Sequence, residues 1–369
     1  MEKSTVYFMD LRTSPKENLF GKLERLLDAA GLSETLRERD LVALKLHFGE
    51  LGNAAFIRPI FLRKIVERVK HHGGQPFLTD ANTLYAGTRG NAVSHLITAI
   101  QNGFAYAVAD APLVIADGLR GRTENAVPIN RKRFKEVYIG SEIVQADALI
   151  SVAHFKGHEL SGFGGAIKNL GMGCASRRGK LAQHSNLSPK VSAEKCVACE
   201  ECVDHCSQSA LSMTDDNAVI DPKKCIGCGE CILICPNSAI EIQWNQAIPV
   251  FLENMVEYTE GVLKGKEGKL LNLNFITNIS PACDCYGHND AAIVRDIGVV
   301  ASKDPVAIDQ ASVDLVNSEH GLPGSSLESN LEPGADKFKG IYPNVDWPIQ
   351  LEYSQELGLG SRAYELVKI

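Results

Sequence analysis

The sequence predicts an α/β fold: a mostly parallel sheet with helices, carrying a small inserted α+β unit of the two-cluster ferredoxin type. Strand-like apolar runs alternate with amphipathic helical stretches on both sides of a cysteine-rich segment, and such alternation builds a sheet covered by helices. The cysteine-rich segment itself is duplicated. With 369 residues the chain holds two domains, or one large domain with an insertion. The expected division is 1–188 for the first part of the α/β domain, 189–245 for the insertion and 246–369 for the second part.

Taken in order, Val6–Met9 reads as a strand, and Leu19, Leu23, Leu26, Leu27 and Ala30 line one helical face. Leu41–Leu46 is a strand, and Pro59 opens a helix to about Lys70. Pro76–Thr79 is a strand before a helix near Ala92–Gln101. Leu113–Ala116 and Leu149–Ala153 are further strands. Inside the insertion, apolar strand pairs fall near Ala210–Met213 and Ile240–Trp244. Beyond it come an amphipathic helix near Ile248–Leu263, strands at Leu271–Thr277 and Ile297–Ala301, and a helix over Pro305–Val316. After Glu319 the chain is rich in Gly, Pro and Ser, so it is expected to be irregular, closing in a short helix near Arg362–Val367.

Composition narrows the class. Hydrophobic residues make up 44% and charged residues 22%, which excludes a disordered or fibrous chain. The net charge of −7 gives no support to nucleic-acid binding. The segment from Pro189 to Asn245 holds nine acidic residues and four lysines, so it carries −5 and the rest −2. Met1–Asp10 has no basic region followed by a long apolar run, so no signal peptide is expected. No stretch approaches the length of a membrane helix, so no membrane partner is expected and a cytoplasmic location is. Thiols there stay reduced, so eleven cysteines point to metal rather than disulfides.

The spacing sharpens that reading. Cys196, Cys199, Cys202 and Cys206 form C-x2-C-x2-C-x3-C, and Cys225, Cys228, Cys231 and Cys235 repeat it, with Pro236 following. This is the bacterial ferredoxin spacing for two [4Fe–4S] clusters. Three thiolates on a tight loop each reach one iron of a cube, and the fourth reaches across to the other cube. The first cluster is therefore expected on Cys196, Cys199, Cys202 and Cys235, and the second on Cys225, Cys228, Cys231 and Cys206. Structural zinc and disulfides are the alternatives. Ser207 stands where the second motif has proline, and it is expected to loosen that turn.

Polar residues gather where strands end: Lys45, His47 and Glu50; Asp80, Thr83, Tyr85 and Arg89; Asp117; His154 and His158. Open α/β sheets bind ligands beyond the carboxyl ends of their strands. Capping is the structural alternative for any one of them. The stretch Gly157–Gly173 is glycine-rich around Lys168, and reads either as an anion cradle or as a tight turn with Lys168 in an ion pair. Ser176–Lys180 reads as a solvated basic loop that could extend an anion site. Lys45, Asp80, His158 and Lys168 are the candidate substrate-site residues, with acid–base roles for His158 and Asp80. Cys283, Cys285 and His288 form a second candidate metal centre, for iron, zinc or nickel. Cys174, His47, His154, His158 and His184 are further ligands in reach, and buried free thiols are the alternative. His71, His72, His95, His205 and His320 receive no role.

Lys45–Glu50, Leu78–Tyr85, Gly164–Gly173 and Asp304–Asp309 resemble the domain of unknown function 362 family, whose members often carry a ferredoxin module. The resemblance implies an iron–sulfur protein and supplies no reaction. A fainter likeness is to the nickel-pincer lactate racemase family: His158, Lys168 and His184 keep its histidine–lysine–histidine spacing, and Arg58-Pro59 is similar to its substrate motif. In that family the lysine carries the pincer cofactor and the histidines serve nickel binding and proton transfer; its further histidine has no counterpart here.

Three functional readings follow. One is a ferredoxin-linked oxidoreductase, relaying single electrons to or from a small-molecule substrate in the α/β domain. Another is an electron carrier whose α/β domain recognises a redox partner protein. The last is a non-redox, metal-assisted enzyme with structural clusters.

Overall fold

The computed structural model describes residues 3–85, 87–185, 188–243 and 247–369. Eight strands form one sheet: β1 (Ser4–Asp10), β2 (Leu41–Lys45), β3 (Gln75–Asp80), β4 (Leu113–Ile115), β5 (Ala148–His154), β6 (Leu270–Ile276), β7 (Gly298–Ser302) and β8 (Tyr364–Lys368). Their order across the sheet is β8-β1-β7-β6-β5-β2-β3-β4. Pairing is parallel except where β7 lies between β1 and β6 and runs against both. The mostly parallel α/β architecture is thus the observed one.

Central strands buried on both faces read as continuous apolar runs, as β2 and β5 do. Val42, Leu44, Ile150 and Val152 pack against Leu23, Leu26, Leu62 and Ile65 of helices α1 (Leu19–Ala29) and α2 (Pro59–His71). Ala43 and Leu149 point the other way, towards Leu170 and Tyr258. That second face is covered by α3 (Ala166–Gly171), α4 (Ile248–Leu263) and α5 (Pro305–Asn317).

β5 and β6 are adjacent in the sheet, yet more than a hundred residues separate them in sequence. Between them the cysteine-rich chain builds its own small unit, as an inserted domain would. Lys190–Val191 pairs with Ile240–Glu241, and Leu211–Met213 with Ala218–Ile220, both antiparallel. Trp244 and Asn245, which ended the expected strand and the expected insertion, lie outside the described residues.

Two expectations fail. Tyr364–Lys368 is a strand rather than a helix, because its backbone completes the sheet edge beside Ser4–Phe8. The stretch after Glu319 is not irregular throughout: it holds short helices at Lys337–Ile341 and Pro348–Glu356 that bury Phe338 and Leu351. No helix among the described residues is long and apolar enough to cross a membrane.

Candidate functional site

Because β2, β3, β5 and β6 run parallel, their carboxyl ends share one edge of the sheet. Lys45, Asp80 and His154 sit at three of those ends, and the loop after β6 brings Cys283–Gly287 beside them. Together with the Gly157–Gly173 segment they enclose a cavity of about 800 Å³. All four candidate residues, Lys45, Asp80, His158 and Lys168, line it.

They do not line it equivalently. The Lys45 ammonium donates to Asn169 Oδ1 (2.9 Å) and Leu46 O (2.9 Å), and lies 3.1 Å from Asp80. Buried Arg89 reaches Asp80 and Glu50, each at 3.2 Å, and donates to the Tyr85 hydroxyl at 2.7 Å. Burial pushes the Asp80 carboxyl up, but Lys45, His95 and Arg89 outweigh it and hold the carboxyl below its usual range. Lys45, Asp80 and Arg89 thus satisfy one another, as a buried charge network must.

Lys156 and Lys168 are different. Lys156 is 5% exposed, and its ammonium has no hydrogen bond or ion pair among the described residues. The only hydrogen-bond acceptor of Lys168 among those residues is Cys283 Sγ, at 3.8 Å. Burial, then Lys156, brings Lys168 down to about 7, and burial brings Lys180 down to about 8. The adjacent histidines are fixed as donors. His47 Nδ1 accepts from Gly49 N (3.0 Å), so its proton sits on Nε2, which is buried without a partner. His158 Nδ1 accepts from the backbone of Leu160 and Ser161, both at 3.2 Å, so its proton too is on Nε2. Burial keeps both rings well below the ordinary histidine range, hence neutral. His184 also lines the cavity, stacked on Phe251, with burial pushing it down to about 3. Two lysines without a paired carboxylate among the described residues and two histidine N–H groups, that of His158 3.8 Å from Glu159 Oε1, line one cavity, an arrangement that can receive an anion.

The backbone positions these groups by close contact. Asp309 of α5 accepts from Ala166 N (2.7 Å), Ile167 N (3.0 Å) and Asn274 Nδ2 (2.8 Å), clamping the start of α3, which carries Lys168. A Cβ on Gly165 would collide with that carboxylate, so glycine is required there. Of the two readings of this segment, the ion pair of Lys168 is not formed among the described residues. The Ser176–Lys180 expectation is corrected: Arg177–His184 is a helix, and Arg177 and Lys180 are buried. Arg177 is turned inward by Glu230, and Lys180 donates to Ala175 O.

Cys283 and Cys285 are joined as a disulfide at the cavity wall. His288 is exposed and outside the cavity lining, beside Tyr286. Cys174 is buried near Asn169 O, away from the pair. Among the described residues no group of three or more His, Cys, Asp or Glu side chains is arranged to hold a single metal ion, at this wall or in the cysteine-rich unit. Cys283 and Cys285 bond each other and His288 stands outside the cavity lining, so a cystine occupies the place where metal ligands or free thiols were expected. His154 is held instead by Asp284 (2.9 Å) and the carbonyl of Thr277 (2.9 Å).

The cysteine-rich unit repeats its own geometry. Positive φ occurs at Ala198 and Glu200 in the first loop, and at the matching Gly227 and Gly229 in the second. Such turns aim successive N–H groups into one concavity. Ala210 N donates to Cys206 Sγ (3.3 Å) and Ala239 N to Cys235 Sγ (3.1 Å). Ser207 does not alter the turn, since Ser209 N bonds Cys206 O as Ser238 N bonds Cys235 O. Cys196, Cys199, Cys202 and Cys235 line one small cavity. Burial, then the thiols of Cys235, Cys196 and Cys199, raises the Cys202 thiol. Four cysteines round one small space are a ligand set that a cationic iron–sulfur core, rather than a single ion, would take.

This unit abuts the cavity. Glu230, between Cys228 and Cys231, is buried against Arg120 (2.6 Å), Arg177 (3.1 Å) and Arg122 (3.5 Å) of the α/β domain. Arg177 also donates to Gly229 O. Leu84, which lines the large cavity, packs in one apolar cluster with Cys202, Cys206 and Cys231.

The family model for a domain of unknown function, DUF362, matches residues 42–314. The chain belongs to that family. Among solved structures it is similar to the lactate racemase apoprotein from Thermoanaerobacterium thermosaccharolyticum, with 13% identity and a TM-score of 0.44. The match covers 87% of this chain and 59% of that one, so the chain spans somewhat over half the length of that neighbour. No curated protein matches the sequence. Lys156 is the site residue that sequence reading passed over. His154, Lys156 and His158 fall two residues apart at and just past the end of β5, and that spacing could have found it.

Proposed function

We propose that the chain is an iron–sulfur protein that binds two [4Fe–4S] clusters and relays single electrons to or from a small anionic molecule held in the cavity. Cys196, Cys199, Cys202 and Cys235 would hold one cluster, and Cys225, Cys228, Cys231 and Cys206 the other. When bound, the clusters supply one-electron transfer at potentials tuned by burial and hydrogen bonds to sulfur. The observation that carries this reading is Leu84, which faces the cavity and packs with the cysteines of the insertion. A carrier that only docked a partner protein would have no need of an enclosed cationic cavity against its cluster loop.

The chain's own residues define the ligand. Lys156 and Lys168 neutralise an anion, and His47 and His158 donate from Nε2 to its oxygens. Lys45, Asp80 and Arg89 act as positioning residues, since their polar groups engage one another. The test is thermal stability of the anaerobic holoprotein with phosphate and a series of small mono- and dicarboxylates, alongside the spectrum of the reduced clusters. A ligand of the folded state raises the melting temperature. The reading expects at least one such anion to do so and to perturb a cluster signal. No shift from any anion in the wild type, or a full shift in Lys156→Met, contradicts it.

A second reading is favoured by a specific observation: His158, Lys168 and His184 all line this cavity. In it the chain is a non-redox enzyme with structural clusters and nickel chemistry at Lys168. Protein that contains no nickel after growth with nickel removes that reading.

A further inference from the structure

The Cys283–Cys285 cystine is the one redox-capable group of the α/β domain that faces the cavity among the described residues, and the function above does not use it. Its surroundings are continuous with the insertion. Gly229, in the second cysteine loop, lies against Leu84: a Cβ there would sit 2.9 Å from Leu84 Cδ1. The next residue, Tyr85, donates its hydroxyl to Cys285 O at 3.0 Å. Arg89 fixes that hydroxyl from the other side. On the cavity side, the Lys168 ammonium lies 3.8 Å from Cys283 Sγ, and Cys285 N donates to the same sulfur at 3.3 Å.

We propose that Cys283 and Cys285 form a redox-active dithiol/disulfide couple, fed through the insertion along Gly229, Leu84 and Tyr85. The inference rests on the cluster reading. Its balance is simple. Two electrons arrive one at a time from a low-potential one-electron donor of the ferredoxin or flavodoxin class. The S–S bond breaks, each sulfur takes one electron and one proton, and two thiols result. Lys168 is placed to pass a proton to Cys283 and to stabilise its thiolate. A couple of this kind turns single-electron delivery into a two-electron store beside the ligand.

The test is reductive titration of the anaerobic holoprotein with titanium(III) citrate, compared with a Cys283→Ala/Cys285→Ala variant of equal iron content. The proposal expects the wild type to take up two electrons per chain more than the variant. Differential alkylation and mass spectrometry should find both cysteines blocked before reduction and both labelled after it. After photoreduction by two electrons per chain, the cluster resonance should decay in the wild type and persist in the variant. Equal uptake, both thiols free as purified, or a metal ion on the pair overturns the proposal. Should the double variant fail to assemble clusters, alkylation of the wild type decides alone. Failure of the underlying reading looks different: iron and sulfide would be absent altogether.

Discussion

In the proposed function, Lys156 and Lys168 set what the cavity binds. A charge-assisted hydrogen bond is worth about 1.5–3 kcal/mol, so Lys156→Met should weaken anion binding by about tenfold or more, measured by calorimetry. Lys168 adds a pH dependence. Burial lowers it to about 7, so it is charged below that value and neutral above it. Anion affinity should fall by up to about tenfold per pH unit as pH rises beyond 7, and Lys168→Met should remove that step. The same shift bears on stability. Between about 7 and the ordinary lysine value of 10.5, the unfolded chain holds a proton that the folded chain lacks. Stability therefore gains from this group as pH rises through that window, a gain the methionine variant should lose. At this scale the sequence was informative wherever spacing or a strand end marked a residue, as at Lys168 and Asp80. It was silent on which cations are compensated. Asp80 serves Lys45 and Arg89, and among the described residues no carboxylate lies within ion-pair distance of Lys156; only the folded chain fixes those pairings.

Two elements carry the site. The short helix α3 is held by Asp309, which accepts from two backbone amides and Asn274. Asp309→Ala leaves two buried backbone amides unpaired, while Asn274 keeps Ser312, at a cost of about 2–4 kcal/mol in urea unfolding, and should weaken anion binding by displacing Lys168. The second is the Arg177–His184 helix, whose Arg177 reaches Glu230 in the second cysteine loop. Breaking a buried ion pair from one side costs about 3 kcal/mol. Glu230 keeps Arg120 and Arg122 when Arg177 is removed, so Arg177→Leu should lose less than that, and limited proteolysis should cut 190–241 first. Sequence reading took this run as a solvated loop, because three basic residues in five look like surface; the partner that turns Arg177 inward, Glu230, lies far along the chain. It likewise took Arg362–Val367 for a helix, where Tyr364–Lys368 is a strand, because the β1 edge it completes is set by tertiary contact rather than by its own pattern. The apolar periodicity of Ile248–Leu263 and Pro59–His71, by contrast, was legible because each buries its own stripe.

For the whole molecule, the parallel sheet does the gathering: strands that run one way bring Lys45, Asp80, His154 and the Cys283–Cys285 loop to one edge, and the cysteine-rich unit docks beside it. The alternation of strands and helices made that sheet predictable, while the reversal of β7 was not, since strand direction leaves no local mark. The central claim is that the cysteine-rich unit holds two cubane clusters next to this cavity. Its most direct measurement is iron, acid-labile sulfide, zinc and nickel per chain on anaerobically purified protein. The account predicts about eight irons and about eight sulfides. Zinc on these cysteines without sulfide, or thiols that are free or disulfide-bonded with no metal, would contradict it.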